Sequence, residues 1–210
     1  MATLSAKSRK EWASRWLTDE LSALAKKGSW EAAIGTFAQL HGSNIVKANE
    51  YHYTTVITGC GRGGDWEAAF QTFSHMLQSD VKPNVYTYTT LINIAAQQSN
   101  SALALKTYAH MDVKNEVVPN ARTLAAVIGA CARGGKWQKA LAALDSAPAK
   151  MIAPNVFMYT SAMDGCRRAG KWEAAISLLD EMKASHDEEV KPNAVTYNTA
   201  IQACCDAGAW

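Results

Sequence analysis

Three kinds of side chain recur at fixed distances after a repeated asparagine, and each kind has its own chemistry. The asparagines are Asn49, Asn84, Asn120, Asn155 and Asn193. Two residues after each of them, and once in a diverged copy upstream, stand Arg15, Tyr51, Tyr86, Arg122, Phe157 and Val195. Aromatic rings and guanidinium planes stack on nucleobases, so five of these six residues predict a stacking surface.

A small side chain, hydrogen-bonding in all but one case, stands five residues after the asparagine. This second row comprises Thr18, Thr54, Thr89, Ala125, Thr160 and Asn198. Only Ala125 has neither a side-chain donor nor a side-chain acceptor. The row predicts polar contacts beside the stacking surface.

A third row, thirteen residues after the asparagine, carries positive charge. It comprises Lys26, Arg62, Arg133 and Arg168, and it is interrupted by Gln97 and Asp206. One cation in each layer is typical of a track for phosphate groups. Each row by itself also fits solvated helix surface, but all three rows fall on the same helix of each repeat.

The elements that position these rows repeat along the chain. The asparagines are 35, 36, 35 and 38 residues apart. A tryptophan follows seventeen residues after four of them, at Trp66, Trp137, Trp172 and Trp210, and Trp30 marks the diverged copy. Self-similarity at this period is the signature of a solenoid, in which each unit packs on its neighbours.

Residues 50–84 show the pair of helices that makes up one unit. Tyr53, Val56 and Ile57 recur at helical spacing and predict the apolar face of the first helix. Glycines end that helix, and Asp65 is a favourable N-cap for the second. The tryptophans are predicted to anchor the core at the start of each second helix.

The predicted fold is therefore an all-α solenoid of helix-turn-helix repeats. It comprises an N-terminal extension over residues 1–13 and units at 14–49, 50–84, 85–120, 121–155, 156–193 and, in part, 194–210. The array stops where a second helix should begin, so we interpret the sequence as a fragment of a longer chain.

No catalytic, cofactor or metal site is evident. Four cysteines (Cys60, Cys131, Cys166 and Cys204) occupy the same place in different units, too far apart to share a disulfide or a metal, and are predicted to be buried thiols. Residues 165–171 match most of a phosphate-binding loop, but Trp172 stands where a hydroxyl is needed. The net charge of +2 says little about a nucleic-acid partner.

The units resemble those of pentatricopeptide repeat proteins. Residues 195–199 read V-T-Y-N-T at a unit start, and residues 191–193 read K-P-N in a linker. The resemblance covers roughly residues 14–210, is strongest over 50–210, and is to P-type arrays of algal or protist character. Tetratricopeptide repeats share the helical hairpin, but their period is 34 residues and they typically bind peptides.

This resemblance implies a right-handed α-solenoid that binds single-stranded RNA, one base per unit, without a cofactor. The reading pairs it implies are Thr18 with Asn49, Thr54 with Asn84, Thr89 with Asn120, Ala125 with Asn155, and Thr160 with Asn193. A threonine–asparagine pair resembles an adenine reader. The implied RNA site is A-A-A-x-A from 5′ to 3′, with Asn198 favouring a pyrimidine next.

Two other functions stay open at this point. One is a protein-binding scaffold, which salt-dependent RNA binding would argue against. The other is the RNA-binding part of an enzyme whose catalytic domain lies beyond Trp210. The resemblance also implies a mitochondrial or chloroplast location. The first ten residues are too short to indicate a transit segment by themselves.

Overall fold

Glycine turns and proline-containing linkers divide the chain into helices. The computed structural model describes residues 6–27, 29–42, 48–79, 81–111 and 117–209. Its helices are α1 (Ala6–Lys27), α2 (Trp30–Gly42), α3 (Glu50–Gly63), α4 (Trp66–Gln78), α5 (Val85–Gln97), α6 (Ser101–Ala109), α7 (Ala121–Arg133), α8 (Trp137–Asp145), α9 (Val156–Arg168), α10 (Trp172–Ala184) and α11 (Ala194–Ala207). The described residues contain no strand, and the predicted all-α repeat fold is confirmed. None of the described helices is both long enough and apolar enough to span a membrane.

The repeated asparagines start the first helix of each unit. Their side-chain oxygens accept the backbone N–H three residues on, at 3.0 Å for Asn49, 3.0 Å for Asn84, 2.9 Å for Asn120, 3.0 Å for Asn155 and 3.0 Å for Asn193. An asparagine N-cap stabilises a helix by about 0.5–2 kcal/mol relative to alanine. These asparagines therefore have a structural role in addition to the base reading predicted for them.

A residue in the left-handed conformation lies in the turn between the two helices of a unit. Gly64, Gly135 and Gly170 have φ of 84°, 70° and 67°. Ser99 takes the same conformation, with φ of 52°, in the unit that has no glycine turn. Because a side chain in this region costs roughly 1–2 kcal/mol, the turn at Ser99 is strained where the others are not.

The helices form two compact parts, Met1–Leu91 and Ile92–Trp210, with the boundary inside α5. In the first part α3 packs against α1, α2 and α4, and in the second part α9 packs against α7, α8, α10 and α11. Each second helix buries an alanine at the same place in the repeat, at Ala33, Ala69, Ala104, Ala140 and Ala175. Small side chains at these positions allow close approach of helices.

The tryptophans lie at the edge of the core rather than inside it. Trp30, Trp66, Trp137 and Trp172 are half-buried. The Trp30 ring lies over Gly63, where a Cβ atom would come within 2.0 Å of the indole Cδ1. Ser101, which replaces the tryptophan in its unit, lies against Gly134 in the same way. The start of one second helix therefore packs on the turn of the following unit.

Three of the four thiols predicted to be buried are buried, whereas Cys204 is half-buried. Cys60, Cys131 and Cys166 are fully buried, and all five cysteines of the chain are free. Burial raises the pKa of Cys60 and of Cys166 to about 11, with the nearby Asp65 carboxylate adding to the effect at Cys60. These side chains therefore pack as small apolar groups.

Candidate nucleic-acid interface

An open pocket in the part of the chain before Leu91 brings together residues from every predicted row. Tyr51 and Tyr86 line it together with Thr54, Asn84 and Arg62, and its volume is about 380 Å³. The two tyrosines are 51% and 58% exposed, so their rings are accessible to a planar ligand. The pocket therefore combines aromatic surface, hydrogen-bonding groups and a cation.

A similar set of residues lines a second pocket in the part of the chain after Leu91. A pocket of about 470 Å³ is lined by Arg122, Phe157, Ala125, Asn155 and Arg133. The residue of the polar row is Ala125 here, so this pocket has no hydroxyl at that place. The recurrence shows that the pocket follows from the repeat.

The other predicted site residues lie on the same series of first helices. Arg15, Val195 and Asn198 are exposed, Thr18 and Thr160 are half-buried, and Thr89 is buried. The side chain of Lys26 lies outside the described part of the structure.

Capping decides which atom of the asparagine is available to a ligand. The Asn84 Oδ1 atom accepts both the Thr87 backbone N–H at 3.0 Å and the Thr87 hydroxyl at 3.1 Å. Among the described residues, the Asn84 amide nitrogen has no acceptor. Asn84 therefore presents hydrogen-bond donors to the pocket that it lines.

The neighbouring threonine presents the opposite character. The Thr54 hydroxyl donates to the Glu50 carbonyl at 2.7 Å, and a hydroxyl has only one proton to donate. With that proton used, the Thr54 oxygen is an acceptor. Thr89 and Thr160 donate to the carbonyl four residues back in the same way, both at 2.7 Å. A threonine–asparagine pair thus presents one acceptor and one donor.

The three arginines of the cation row have different surroundings. Arg62 is exposed and forms no ion pair with the described residues. The Arg133 Nε donates to the Ala96 carbonyl at 3.0 Å, and the Arg168 Nε donates to the Asp164 Oδ2 at 2.7 Å. Of the three, Arg62 is the most available to an external anion.

Asp164, a residue that the sequence analysis did not single out, offsets the charge of this row in one unit. It pairs with both Arg167 and Arg168, and Arg167 also reaches Asp206 of α11 at 2.8 Å. Burial alone would raise the pKa of Asp164, but hydrogen bonds from the two arginines outweigh it and hold that pKa below its usual value. The four-residue spacing of Asp164 and Arg168 was the available signal for this pair.

Two sequence families match this chain. The PPR repeat family matches residues 48–97 and 154–206, and the pentatricopeptide repeat domain matches residues 76–134. Together these matches cover residues 48–134 and 154–206, well over half of the 210 residues. No curated protein matches the sequence.

Several solved structures resemble the fold. Nuclear proteinaceous RNase P 2 from A. thaliana matches with a TM-score of 0.75 and 19% identity over 91% of this chain and 42% of its own. The PPR domain of Arabidopsis thaliana protein-only RNase P 1, solved in complex with tRNA, matches with a TM-score of 0.73 and 16% identity over 90% of this chain and 97% of its own.

A third structure is that of the maize pentatricopeptide repeat protein PPR10 in complex with an 18-nt psaJ RNA element. It matches with a TM-score of 0.69 and 25% identity, over 90% of this chain and 28% of its own. The chain therefore spans less than half the length of two of these three proteins. Its repeat length, its helical hairpins and the matches to both sequence families show that this chain belongs to the pentatricopeptide repeat family.

Proposed function

We propose that this protein binds single-stranded RNA along its first helices and holds one base per unit. The observation that carries the proposal is the pocket that joins Tyr51 and Tyr86 to Thr54, Asn84 and Arg62. Stacking surface, hydrogen bonds to the base edge and a cation for phosphate are the elements of single-strand recognition. The similarity to PPR10, solved with an RNA element, supports the same function.

The donor and acceptor of the reading pair favour adenine. The adenine Watson–Crick edge offers an acceptor at N1, which the Asn84 amide can satisfy, and a donor at the exocyclic amine, which the Thr54 oxygen can accept. The proposed site is A-A-A-x-A followed by a pyrimidine. The unit with Ala125 lacks the acceptor, so its base is not selected in this way.

The role proposed for this chain is binding rather than catalysis. Within a mitochondrion or a chloroplast, such binding would serve RNA processing, stability or translation. A protein-binding scaffold is the competing function. It predicts peptide binding and no salt-dependent affinity for RNA of any sequence.

Replacing Arg62, Arg133 and Arg168 together with alanine should weaken binding to all RNA sequences alike. Each phosphate contact on a single strand contributes about 0.7 to the slope of log affinity against log salt, so the slope should fall by roughly 2. The measurement is the dissociation constant of an A-A-A-C-A-C oligonucleotide and of its U-substituted counterpart across a salt series. An unchanged slope would remove these arginines from the RNA path.

The substitution Asp164→Asn should have the opposite effect and strengthen RNA binding. It removes a carboxylate beside the cation row and releases Arg168 from the ion pair at 2.7 Å. Because the carboxylate no longer competes with phosphate for Arg168, the salt slope should steepen by a fraction of the value of about 0.7 that one complete contact contributes. The double variant with Arg168→Ala is the control, because it lacks the released cation. If Asp164→Asn steepened the slope equally in both backgrounds, Arg168 would not be the group that contacts phosphate.

A further inference from the structure

An additional kind of side chain, outside the three rows, contacts both members of a reading pair. It stands three residues after the asparagine, at His52, Thr87 and Thr196. The Thr87 hydroxyl oxygen lies 2.9 Å from the Thr54 hydroxyl and 3.1 Å from the Asn84 Oδ1. One side chain therefore connects the threonine of one unit to the asparagine that closes it.

The same connection occurs at Thr196, and a related one, through the backbone of the asparagine, occurs at His52. The Thr196 hydroxyl lies 3.3 Å from the Thr160 hydroxyl and 3.1 Å from the Asn193 Oδ1. The His52 Nε2 lies 3.0 Å from the Thr18 hydroxyl, and the His52 Nδ1 accepts the Asn49 backbone N–H at 3.3 Å. These three residues are fully buried, so direct contact with a ligand does not account for their polarity.

The fourth unit provides an internal comparison. Its polar-row residue is Ala125, and the residue three places after Asn155 is Met158, which is also apolar and fully buried. In each described contact, the residue three places after the asparagine is polar and its partner in the polar row is a threonine. Where the polar row has Ala125, the residue at that place is the apolar Met158. The match indicates that the two positions act together.

Proton counting shows what the connection controls. Thr54 and Thr87 have two hydroxyl protons, but they make three contacts that each need one: to the Glu50 carbonyl, to each other and to the Asn84 Oδ1. The Thr87 hydroxyl can donate its proton either to the Thr54 oxygen or to the Asn84 Oδ1. When it donates to Asn84, the Thr54 oxygen keeps both lone pairs for a ligand. The same hydroxyl helps to hold the Asn84 oxygen inward and its amide donors toward the pocket.

We propose that His52, Thr87 and Thr196 are positioning residues that determine base specificity. Thr87 and Thr196 hold the side chains of both members of their pairs, and His52 holds the Thr18 hydroxyl and the backbone N–H of Asn49. Each pair is thereby kept in the orientation that presents one acceptor and one donor. The inference rests on the proposed RNA binding and deepens it, because it assigns selectivity to a residue that the RNA does not touch.

The first test is Thr87→Val, which removes the hydroxyl and keeps the side-chain volume. The preference for adenine over the other bases at the second position should fall about two- to tenfold, as expected for one hydrogen bond. The preference at the first, third and fifth positions should be unchanged. Thr90→Val is the matched control, because the Thr90 hydroxyl donates only to the Tyr86 carbonyl of the same helix, at 2.8 Å.

The second test is to build the connection into the fourth unit. Ala125→Thr together with Met158→Thr should create a preference for adenine at the fourth base, and Ala125→Thr alone should create a smaller one. Thermal melting of each variant monitors the loss of the buried Met158 side chain. Binding of oligonucleotides that differ only at the fourth base is the readout.

The possible outcomes separate this inference from the proposed function. Equal preference from the single and double variants, or an unchanged second-base preference in Thr87→Val, would overturn the positioning role alone. A wild-type protein without RNA affinity, or without base preference at any position, would overturn the proposed function and the inference with it. Selective losses and gains at the second and fourth bases would support both.

Discussion

Replacing Tyr86 with alanine should weaken RNA binding by about 1–3 kcal/mol and leave the melting temperature nearly unchanged. The ring is 58% exposed and lines the pocket with Thr54 and Asn84, so it is placed to stack on a base. An exposed ring contributes little buried area to the fold. Tyr51 and Phe157, at 51% and 63% exposure, should behave in the same way.

The neighbouring Tyr88 is the control for this experiment. It lies two residues further along α5, is fully buried and packs edge-on against Phe73 with 5.5 Å between ring centroids. Tyr88→Ala should lower the free energy of unfolding by about 3–5 kcal/mol, as truncation of large buried side chains does. If Tyr86→Ala lowered the melting temperature as well, while affinity held, its ring would belong to the core and the stacking role would be wrong.

The substitution Asn84→Asp should change the base preferred at the second position from adenine to guanine. The aspartate keeps the helix cap, because a carboxylate oxygen accepts the Thr87 N–H as well as an amide oxygen does. Its other oxygen replaces the amide donors with an acceptor. That acceptor opposes the lone pair on adenine N1 and suits the N1–H donor of guanine. By analogy with bidentate base contacts, the discrimination should be about 1–3 kcal/mol.

The test is a competition between RNAs that differ only at that base, at fixed salt, for the wild type and the variant. Asn100→Asp is the matched control, because Asn100 caps α6 through the Leu103 N–H at 3.0 Å but belongs to no reading pair. It introduces the same charge and should change no base preference. The same preferred base in the wild type and in Asn84→Asp would mean that Asn84 is a capping residue only.

Most of the fold could be predicted from the sequence because each repeat has the same pattern of apolar residues, helix caps and turn residues. The period located the units, the glycines located the turns and Asp65 located a helix start, which the structure shows as a cap that accepts the Ala68 N–H at 2.8 Å. Depth in the core was harder to predict. Periodicity tells which side of a helix a residue occupies but not how deeply it is buried. Ile201 aligns with the buried Ile57 and Ile128 of other repeats and is nevertheless 60% exposed.

The members of the candidate site were easier to predict than their orientation. Spacing placed Thr54 and Asn84 in one pocket, together with Arg62. Which atom of Asn84 faces a ligand depends on the contacts of Thr87. The spacing of residues along the sequence does not show which hydroxyl donates its proton to which oxygen. An asparagine followed three residues later by threonine is a capping pattern, so this signal was present in the sequence at Asn84, Asn120 and Asn193.

The capping asparagines restrict how this array could be reprogrammed. A residue at this position has to begin a helix before it can choose a base, and only a few side chains cap well, namely asparagine, aspartate, serine and threonine. Substitutions of Asn84 or Asn193 that keep the helix cap are therefore limited to a few residues, which offer only a few arrangements of donors and acceptors. Larger residues that offer other base contacts would lose the cap that each of these asparagines now provides. New base specificities would have to come from combining these few capping residues with different residues in the threonine row, rather than from placing other residue types at the capping position.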